Sequence, residues 1–258
     1  MFAAAPSIHL STMADLLTHA VGTLYGTFLL LSVAGLLFML PLVLGSYFVF
    51  FVWHKRRFHP RFVPDAAVNR RALALSVLNV VGSAALTSPV HWLIIGGRTR
   101  VYYSIAERGG GWFVTSILLY LLVVETAVYW IHRALHTRWL YKHVHRLHHQ
   151  HRVPTPLSSY SFHPLDAFLQ ALPQHLFVLL VPVHLGVYIA FLSFTAVWTV
   201  LIHDRVPFVH WRGINNTDHH TVHHWFQKYN LGQFFTLWDR IGGTYRDPEA
   251  LPSTLDGM

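Results

Sequence analysis

The stretch WFVTSILLYLLVVETAVYWIHRALH at residues 112–136 combines the signal of a membrane helix with that of a metal site. Residues 112–131 contain a single charged residue, Glu125, and a helix needs roughly 20 apolar residues to cross a bilayer. His132 and His136 follow directly, and residues four apart lie on one face of a helix. The stretch therefore predicts a membrane helix that carries two imidazoles at its end.

Three further stretches contain no Asp, Glu, Lys or Arg, and each is long enough to cross a bilayer. They are residues 16–54, 72–97 and 167–203. The chain of 258 residues is 53% hydrophobic and only 12% charged, against roughly a quarter in soluble domains. These features predict an all-α fold, a polytopic membrane helical bundle that forms a single integral-membrane domain over residues 1–258.

The apolar stretches also predict how the chain crosses the membrane. We expect spans at about 21–53, 73–96 and 112–131, and a helical hairpin over 167–203. The first span contains Pro41, which predicts a kink, and the hairpin is expected to turn at residues 182–186. Because a hairpin returns the chain to the side from which it entered, all of the histidine clusters are expected on one face.

Basic residues indicate which face that is. Sixteen of the nineteen Lys and Arg residues lie either between the first and second predicted spans or after the third. The positive-inside rule makes this side cytoplasmic, so the histidines are expected in a cytosolic helical cap. The net charge of +8 is then explained by membrane orientation and by contact with anionic lipid headgroups, and no nucleic-acid partner is expected.

Eight histidines form three clusters with helical spacing. They are His132 and His136, then His145, His148 and His149, then His220, His223 and His224. Residues at i, i+3 and i+4 share a helix face, so each cluster is expected to aim its imidazoles at a single point. One zinc ion takes about four ligands, and eight converging imidazoles are too many for it. The sequence therefore predicts a di-metal site whose ligands are nitrogen atoms, since the chain has no cysteine.

The second half of the chain also carries long runs of residues that are typical of one enzyme family. The runs are YWIHRALH at 129–136, LYKHVHRLHHQHRVPTPLSSYSFHPLDAFLQALPQH at 140–175, VWTVLIHD at 197–204 and INNTDHHTVHHWFQKYNLGQFFTLWDRIGGTYRDP at 214–248. With these runs the chain resembles the sterol C-5 desaturases, or lathosterol oxidases, of the fatty acid hydroxylase and sterol desaturase superfamily. The N-terminal half is similar to the family only in hydropathy.

The resemblance implies an activity and a ligand set. The activity is conversion of a Δ7-sterol of the lathosterol or episterol type to a Δ5,7-sterol, with consumption of dioxygen and two electrons. The eight clustered histidines correspond to the family's histidine boxes, within a catalytic region at 132–248, and His203 with either His163 or His219 completes the ligand set. Arg205 stands where relatives usually carry glycine, and residues 159–161 read Ser-Tyr-Ser where Ser-His-Ala is common.

Desaturation of an unactivated C–H bond needs an oxidant made from dioxygen at a redox metal. Imidazole suits iron, copper and zinc, so we expect two iron ions, with zinc as a possible substitute. Electrons from NAD(P)H are expected through a separate carrier, such as cytochrome b5 in a eukaryote or a ferredoxin in a bacterium. This carrier is expected to dock on a basic surface that includes Arg138, Lys142, Arg146 and Arg152. The membrane would be the endoplasmic reticulum in a eukaryote and the inner membrane in a bacterium.

Some ionisable residues are expected to act outside the ligand set. Glu125 shares a helix face with Tyr129 and His132, and an ionisable residue within a span is usually functional. We expect its carboxylate to accept the second ring N–H of a ligand histidine, or alternatively to make a structural hydrogen bond inside the bundle. Asp239 is expected to cap or pair locally. The isolated histidines are expected at the interface or in solvent. They are His9, His19, His54, His59 and His91.

Two other functions stay open on the sequence alone. Desaturases and hydroxylases share their histidine boxes, so a hydroxylase or methyl oxidase acting on a sterol or another lipid is the first alternative. The second is a non-catalytic membrane protein with a structural zinc site, although such a protein would not need every box intact.

Overall fold

The computed structural model describes residues 19–250, and these fold almost entirely as helices. Three helices are long and apolar enough to cross a membrane. They are α1 (Leu24–Ser46, continued by a π-helical segment at Tyr47–Trp53), α2 (Ala66–Ile95) and α3 (Gly109–Leu135). The prediction of an all-α membrane bundle is confirmed. A one-turn helix at Lys55–Phe58 lies between α1 and α2.

The helix ends differ from the predicted spans because polar caps lie outside the apolar runs. Asp65 accepts hydrogen bonds from the backbone N–H groups of Ala67 and Val68, so α2 begins before its uncharged stretch. At the other side, α3 continues beyond the apolar run and holds His132 in its last turn. The irregular part of the first span is π-helical Tyr47–Trp53, and α1 itself continues through Pro41.

The chain after α3 turns back over the end of the bundle in short helical pieces. They are a one-turn helix at Arg138–Leu140, a π-helical turn at Tyr141–His145, α4 (Arg146–His149) and a 3₁₀ turn at Pro156–Ser158. The second histidine cluster thus lies across the junction of a π-helical turn and an α-helical turn.

The apolar stretch after residue 164 forms the expected helical hairpin. Its helices are α5 (Pro164–Leu180) and α6 (Leu185–Leu201), and the turn between them contains the short strand β2 (Val183–His184). This strand pairs in parallel with β1 (Val101–Tyr102), which precedes α3. Each hairpin helix has 17 residues and rises about 25 Å, slightly less than the apolar thickness of a bilayer.

Helix α5 packs against both α2 and α3, and α1 packs against α2. The contact of α2 with the start of α5 is close, since a Cβ atom built on Gly82 would lie 2.5 Å from Pro164. The start of α5 is thereby fixed against the middle of α2.

The last part of the chain completes the cap on that side. Helix α7 (Thr217–Phe226) begins at Asn216, whose side chain accepts hydrogen bonds from the N–H groups of Asp218 and His219. Helix α8 (Leu237–Ile241) follows, and a 3₁₀ turn at Pro248–Ala250 ends the described residues. An antiparallel bridge joins Ile214 to Phe235, so the segments before α7 and α8 are paired.

Candidate metal centre

Nine imidazoles converge inside the cap in two groups. The first group contains His132, His136, His145, His149 and His223, and the second contains His148, His203, His220 and His224. Within each group, the nitrogen atoms that can bind a metal lie within 4.8 Å of one another. All eight clustered histidines and His203 are in these groups, which divide them into sets suited to two ions.

The two longer clusters are each split between the groups. His145 and His149 belong to the first group, whereas His148 belongs to the second. In α7 the assignment is reversed, since His220 and His224 belong to the second group and His223 to the first. The expectation that each cluster aims at a single point was therefore wrong for these two. Residues at i and i+4 are about 40° apart around a helix while i+3 lies about 100° from i+4, so the pair and the third residue serve different ions.

The ring nitrogens of His132 and His145 have the clearest geometry for two ligands that share one cation. The Nδ1 atoms lie 2.8 Å from the Leu231 carbonyl oxygen and 2.7 Å from Asp166 Oδ2, respectively. Both oxygens accept, so each Nδ1 carries the proton and each Nε2 presents a lone pair. The two Nε2 atoms are nevertheless 3.2 Å apart. Ligands at about 2.1 Å from one ion are separated by about 3.0 Å in an octahedron and 3.4 Å in a tetrahedron, so this spacing fits a shared metal.

The second group repeats this geometry. Nε2 of His220 lies 3.2 Å from Nε2 of His203 and 3.1 Å from Nε2 of His224. The Nδ1 atoms of His203 and His224 donate to backbone carbonyls of Thr199 and His151, so their Nε2 atoms also present lone pairs. The Nε2 atoms of His203 and His224 thus present lone pairs on either side of Nε2 of His220.

Two further atoms of the first group support the same conclusion. Nε2 of His136 and Nε2 of His223 are buried and have no hydrogen-bond partner among the described residues. Buried polar atoms in native proteins almost always have partners, and a bound ion explains such exceptions. Metal ions therefore fit the donor set as it stands.

The cap keeps its imidazoles neutral. Burial is the largest cause that lowers the pKa of His203 to about 4. Burial together with neighbouring imidazoles also lowers the pKa values of six other cap histidines. These are His136, His148, His149, His220, His223 and His224. Neutral imidazole is the form that binds a metal, so the cluster is ready to bind at neutral pH.

Comparison with known proteins agrees with this site. A model of the Fatty acid hydroxylase family matches residues 117–244. The lathosterol oxidases of Rattus norvegicus and Homo sapiens are 38% and 39% identical over 222 residues, covering 84% of this chain and 73% of each relative. The Delta(7)-sterol 5(6)-desaturase of Schizosaccharomyces pombe is 41% identical over 204 residues, covering 79% of this chain and 61% of that protein. No solved structure gives a significant match.

This chain belongs to the sterol C-5 desaturase family. It is an oxidoreductase of the membrane, and the resemblance read from the sequence runs between residues 129 and 248 is confirmed.

The expectation that Glu125 accepts a ring N–H from a ligand histidine was wrong. Glu125 instead makes structural hydrogen bonds, which was the alternative. Its carboxylate accepts hydrogen bonds from the backbone N–H groups of Phe234 and Phe235 at 3.2 and 2.9 Å. His132 instead donates to the Leu231 carbonyl. Seven residues of helix rise about 10 Å, so Glu125 and His132 share a face but are too far apart along the axis for a hydrogen bond.

The carboxylate that does contact a box histidine belongs to Asp166, which the sequence reasoning missed. Asp166 Oδ2 lies 2.7 Å from His145 Nδ1, and both side chains are completely buried. Its other oxygen accepts a hydrogen bond from Gln170. The available signal was an acidic residue standing immediately before a long uncharged stretch, where burial without a partner would be unfavourable.

The two additional ligand candidates, His163 and His219, lie outside both groups. His163 caps α5, because its Nδ1 accepts the N–H of Leu165. The Nδ1 of His219 lies 2.7 Å from Asn216 Oδ1 at the start of α7. Their part in a ligand set stays a prediction that this geometry does not favour.

Two of the isolated histidines pack against other side chains, although they were expected at the interface or in solvent. His59 is buried, stacks on Phe51 with 4.0 Å between ring centroids, and donates through Nε2 to the carbonyl of Asp204. His91 is half-buried and its ring contacts those of His175 and Tyr188. His19 and His54 are exposed, and His9 lies outside the described residues.

Asp239 acts as a local cap, by contacts with backbone amides. Its carboxylate accepts the N–H groups of Leu231 and Gly232 and the hydroxyl of Thr244. The segment 231–235 is therefore held by two buried carboxylates, those of Asp239 and Glu125, while the Leu231 carbonyl holds His132.

The backbone at Arg205 adopts a conformation that favours glycine. Its φ angle is +56°, in the left-handed region that glycine adopts without strain. The guanidinium lies over the rings of Phe51 and Phe62. This chain therefore places a cation against Phe51 of the first span.

Proposed function

We propose that this chain is a dioxygen-dependent sterol C-5 desaturase, which introduces the C5=C6 double bond into a Δ7-sterol of the lathosterol or episterol type. The names and similarity of its relatives support this substrate class. The observation that carries the proposal is the division of nine imidazoles into two groups, each with unprotonated nitrogens spaced for one ion.

Two iron ions are the cofactors that fit best. Removal of two unactivated hydrogens requires a strong oxidant, and the iron ions would supply it from dioxygen. Zinc lacks this redox chemistry. The protein's own residues hold the ions, fix the ring tautomers through backbone carbonyls and Asp166, and exclude water by burying eight of the nine imidazoles.

Electrons would reach this site from NAD(P)H through a separate carrier, such as cytochrome b5 or a ferredoxin. Support comes from four exposed basic side chains around the second histidine cluster. They are Arg138, Lys142, Arg146 and Arg152. We place this surface and the cap in the cytoplasm by the positive-inside rule, on the endoplasmic reticulum of a eukaryote or the inner membrane of a bacterium. Turnover with a limiting acidic carrier should then fall as ionic strength rises, and salt-independent rates would contradict this docking.

The family also supports a second outcome of the same chemistry. The matching family model is that of the fatty acid hydroxylases, so hydroxylation of a sterol or another lipid is the alternative that a test must separate. A structural zinc site would leave the lipid unchanged.

The direct test is expression of the chain in cells that accumulate Δ7-sterols because they lack their own C-5 desaturase. Extraction and mass spectrometry should show a Δ5,7-sterol two hydrogens lighter than the substrate. His148→Ala should abolish it, while His143→Ala should retain it, because His143 is exposed and outside both groups. A hydroxylated product would support the alternative, and unchanged sterols would contradict both enzymatic functions.

A further inference from the structure

An apolar cavity of about 410 Å³ lies beside the cap, between helices α3 and α6. Helix α6 contributes Ala190, Phe191, Phe194 and Trp198, and α3 contributes Leu121 from the opposite side. No charged residue lines it. Its volume is in the range of cavities that enclose a small organic ligand.

The cavity opens towards the lipid. Phe194 lines the cavity and is also 49% exposed, so the cavity reaches the surface at this side chain. Beside Leu121 on α3, Leu118 and Leu122 are 63% and 57% exposed. Exposed apolar side chains on a membrane-spanning helix contact the hydrocarbon of the bilayer. A ligand can therefore enter from the bilayer without crossing water.

The inner wall of the cavity is formed by segments that carry or contact metal-binding histidines. Phe234 and Phe235 line it, in the same segment whose Leu231 carbonyl holds His132. Trp198 lies five residues before His203 on the chain, and its indole N–H donates to the Gln233 carbonyl. Helix α6 thus leads on to His203, and the segment 231–235 contacts His132 through the Leu231 carbonyl.

We propose that this cavity is the site at which the hydrocarbon of the sterol binds after lateral entry from the bilayer. The proposal rests on the proposed function, which makes the substrate a rigid, nearly flat ring system. Aromatic side chains form most of the wall, and their flat faces match such rings. Since no charged residue is available in the cavity, the sterol is recognised by shape, and its hydroxyl group lies outside.

The proposal is tested by filling the cavity. Ala190→Trp adds an indole at a residue that lines the cavity, and Ile189→Trp is the matched control, since Ile189 is the neighbouring residue of α6, is exposed like Ala190 and does not line the cavity. Purified full-length proteins in lipid nanodiscs would be labelled with a photoreactive Δ7-sterol. Metal content and sterol KM are measured on the same samples, so that a misfolded variant is recognised.

We expect Ala190→Trp to lose labelling and raise KM by at least about tenfold, with metal content unchanged and the control equal to wild type. Phe194→Ala, at the mouth, should weaken labelling without filling the cavity. Equal labelling of both tryptophan variants, or labelling displaced by phospholipid and not by sterol, would overturn the proposal. Wild-type labelling at 190–198 without any turnover would uphold the cavity and contradict the proposed function. Turnover unaffected by Ala190→Trp would overturn the cavity proposal and support the proposed function.

Discussion

The orientation of His145 depends on the carboxylate of Asp166. It is the acceptor that fixes the proton of His145 on Nδ1 and directs Nε2 towards the first group. Neutralising such a carboxylate commonly weakens metal binding by about 10- to 100-fold. Asp166→Asn should therefore lower metal affinity by that factor while the helical content, measured by circular dichroism, stays the same.

The measurement for Asp166 is competition between the full-length protein and a chelator of known affinity. Asp65→Asn is the control, because asparagine caps a helix as well as aspartate does and Asp65 lies at the start of α2. An affinity of Asp166→Asn equal to that of wild type would remove the residue from the site.

At Arg205 the contributions of the backbone and of the side chain to stability can be measured separately. Substitution by alanine or by glycine removes the guanidinium equally, but only glycine adopts a φ of +56° without strain. The glycine variant should be more stable than the alanine variant by about 1 kcal/mol, seen as a higher Tm. At Arg240, inside α8, the order should be reversed because glycine weakens a helix. Alanine equal to or above glycine at position 205 would contradict the role of the backbone.

At the scale of elements, the segment 231–235 is the connection between the cap and the cavity. Asp239→Ala would leave the buried N–H groups of Leu231 and Gly232 without their acceptor, at a cost of about 1–3 kcal/mol each. The Leu231 carbonyl would then lose its fixed position against His132. We expect this variant to lose metal from the first group, so that metal content falls from two ions towards one per chain.

Asp247→Ala is the control for this prediction, since its ion pair with Arg212 is partly exposed and such pairs contribute little. Two ions retained by Asp239→Ala, with unchanged Tm, would show that the segment does not position His132.

The elements also show what sequence could and could not predict. Apolar run lengths predicted the long helices, and the i, i+3, i+4 spacing identified the box histidines. The split of His145 and His149 from His148 could not be read from spacing alone, because it depends on how each helix is rotated in the folded cap and on the π-helical turn at Tyr141–His145. The contact of Asp166 with His145 joins residues 21 apart, and it depends on where α5 begins against the cap.

At the scale of the whole molecule, the buried histidines make stability depend on pH. Seven cap histidines have lowered pKa values, so below about pH 6.5 the unfolded chain binds more protons than the folded protein. The free energy of unfolding of metal-free protein should therefore fall as pH decreases from 6.5. Asp204, whose pKa burial raises to about 7, and Asp239, whose pKa burial also raises, act in the opposite direction but are two groups against seven.

Thermal unfolding of the metal-free protein between pH 7.5 and 5 measures this effect. Tm should be nearly constant above pH 6.5 and should fall below it. The free energy of unfolding of His148→Asn should fall less steeply than that of wild type. The two slopes should differ by at most about 1.4 kcal/mol per pH unit, because one protonation site is lost. A Tm that rises on acidification would contradict the neutral, buried state of these imidazoles.

If the nine imidazoles hold two ions, metal analysis of the purified protein measures them. Protein purified without oxygen from iron-replete cells should contain two metal ions per chain, mainly iron. Zinc after heavy overexpression would still agree with the geometry, because imidazole sites bind zinc readily. A reproducible single ion per chain in fully active protein would contradict the two-ion site.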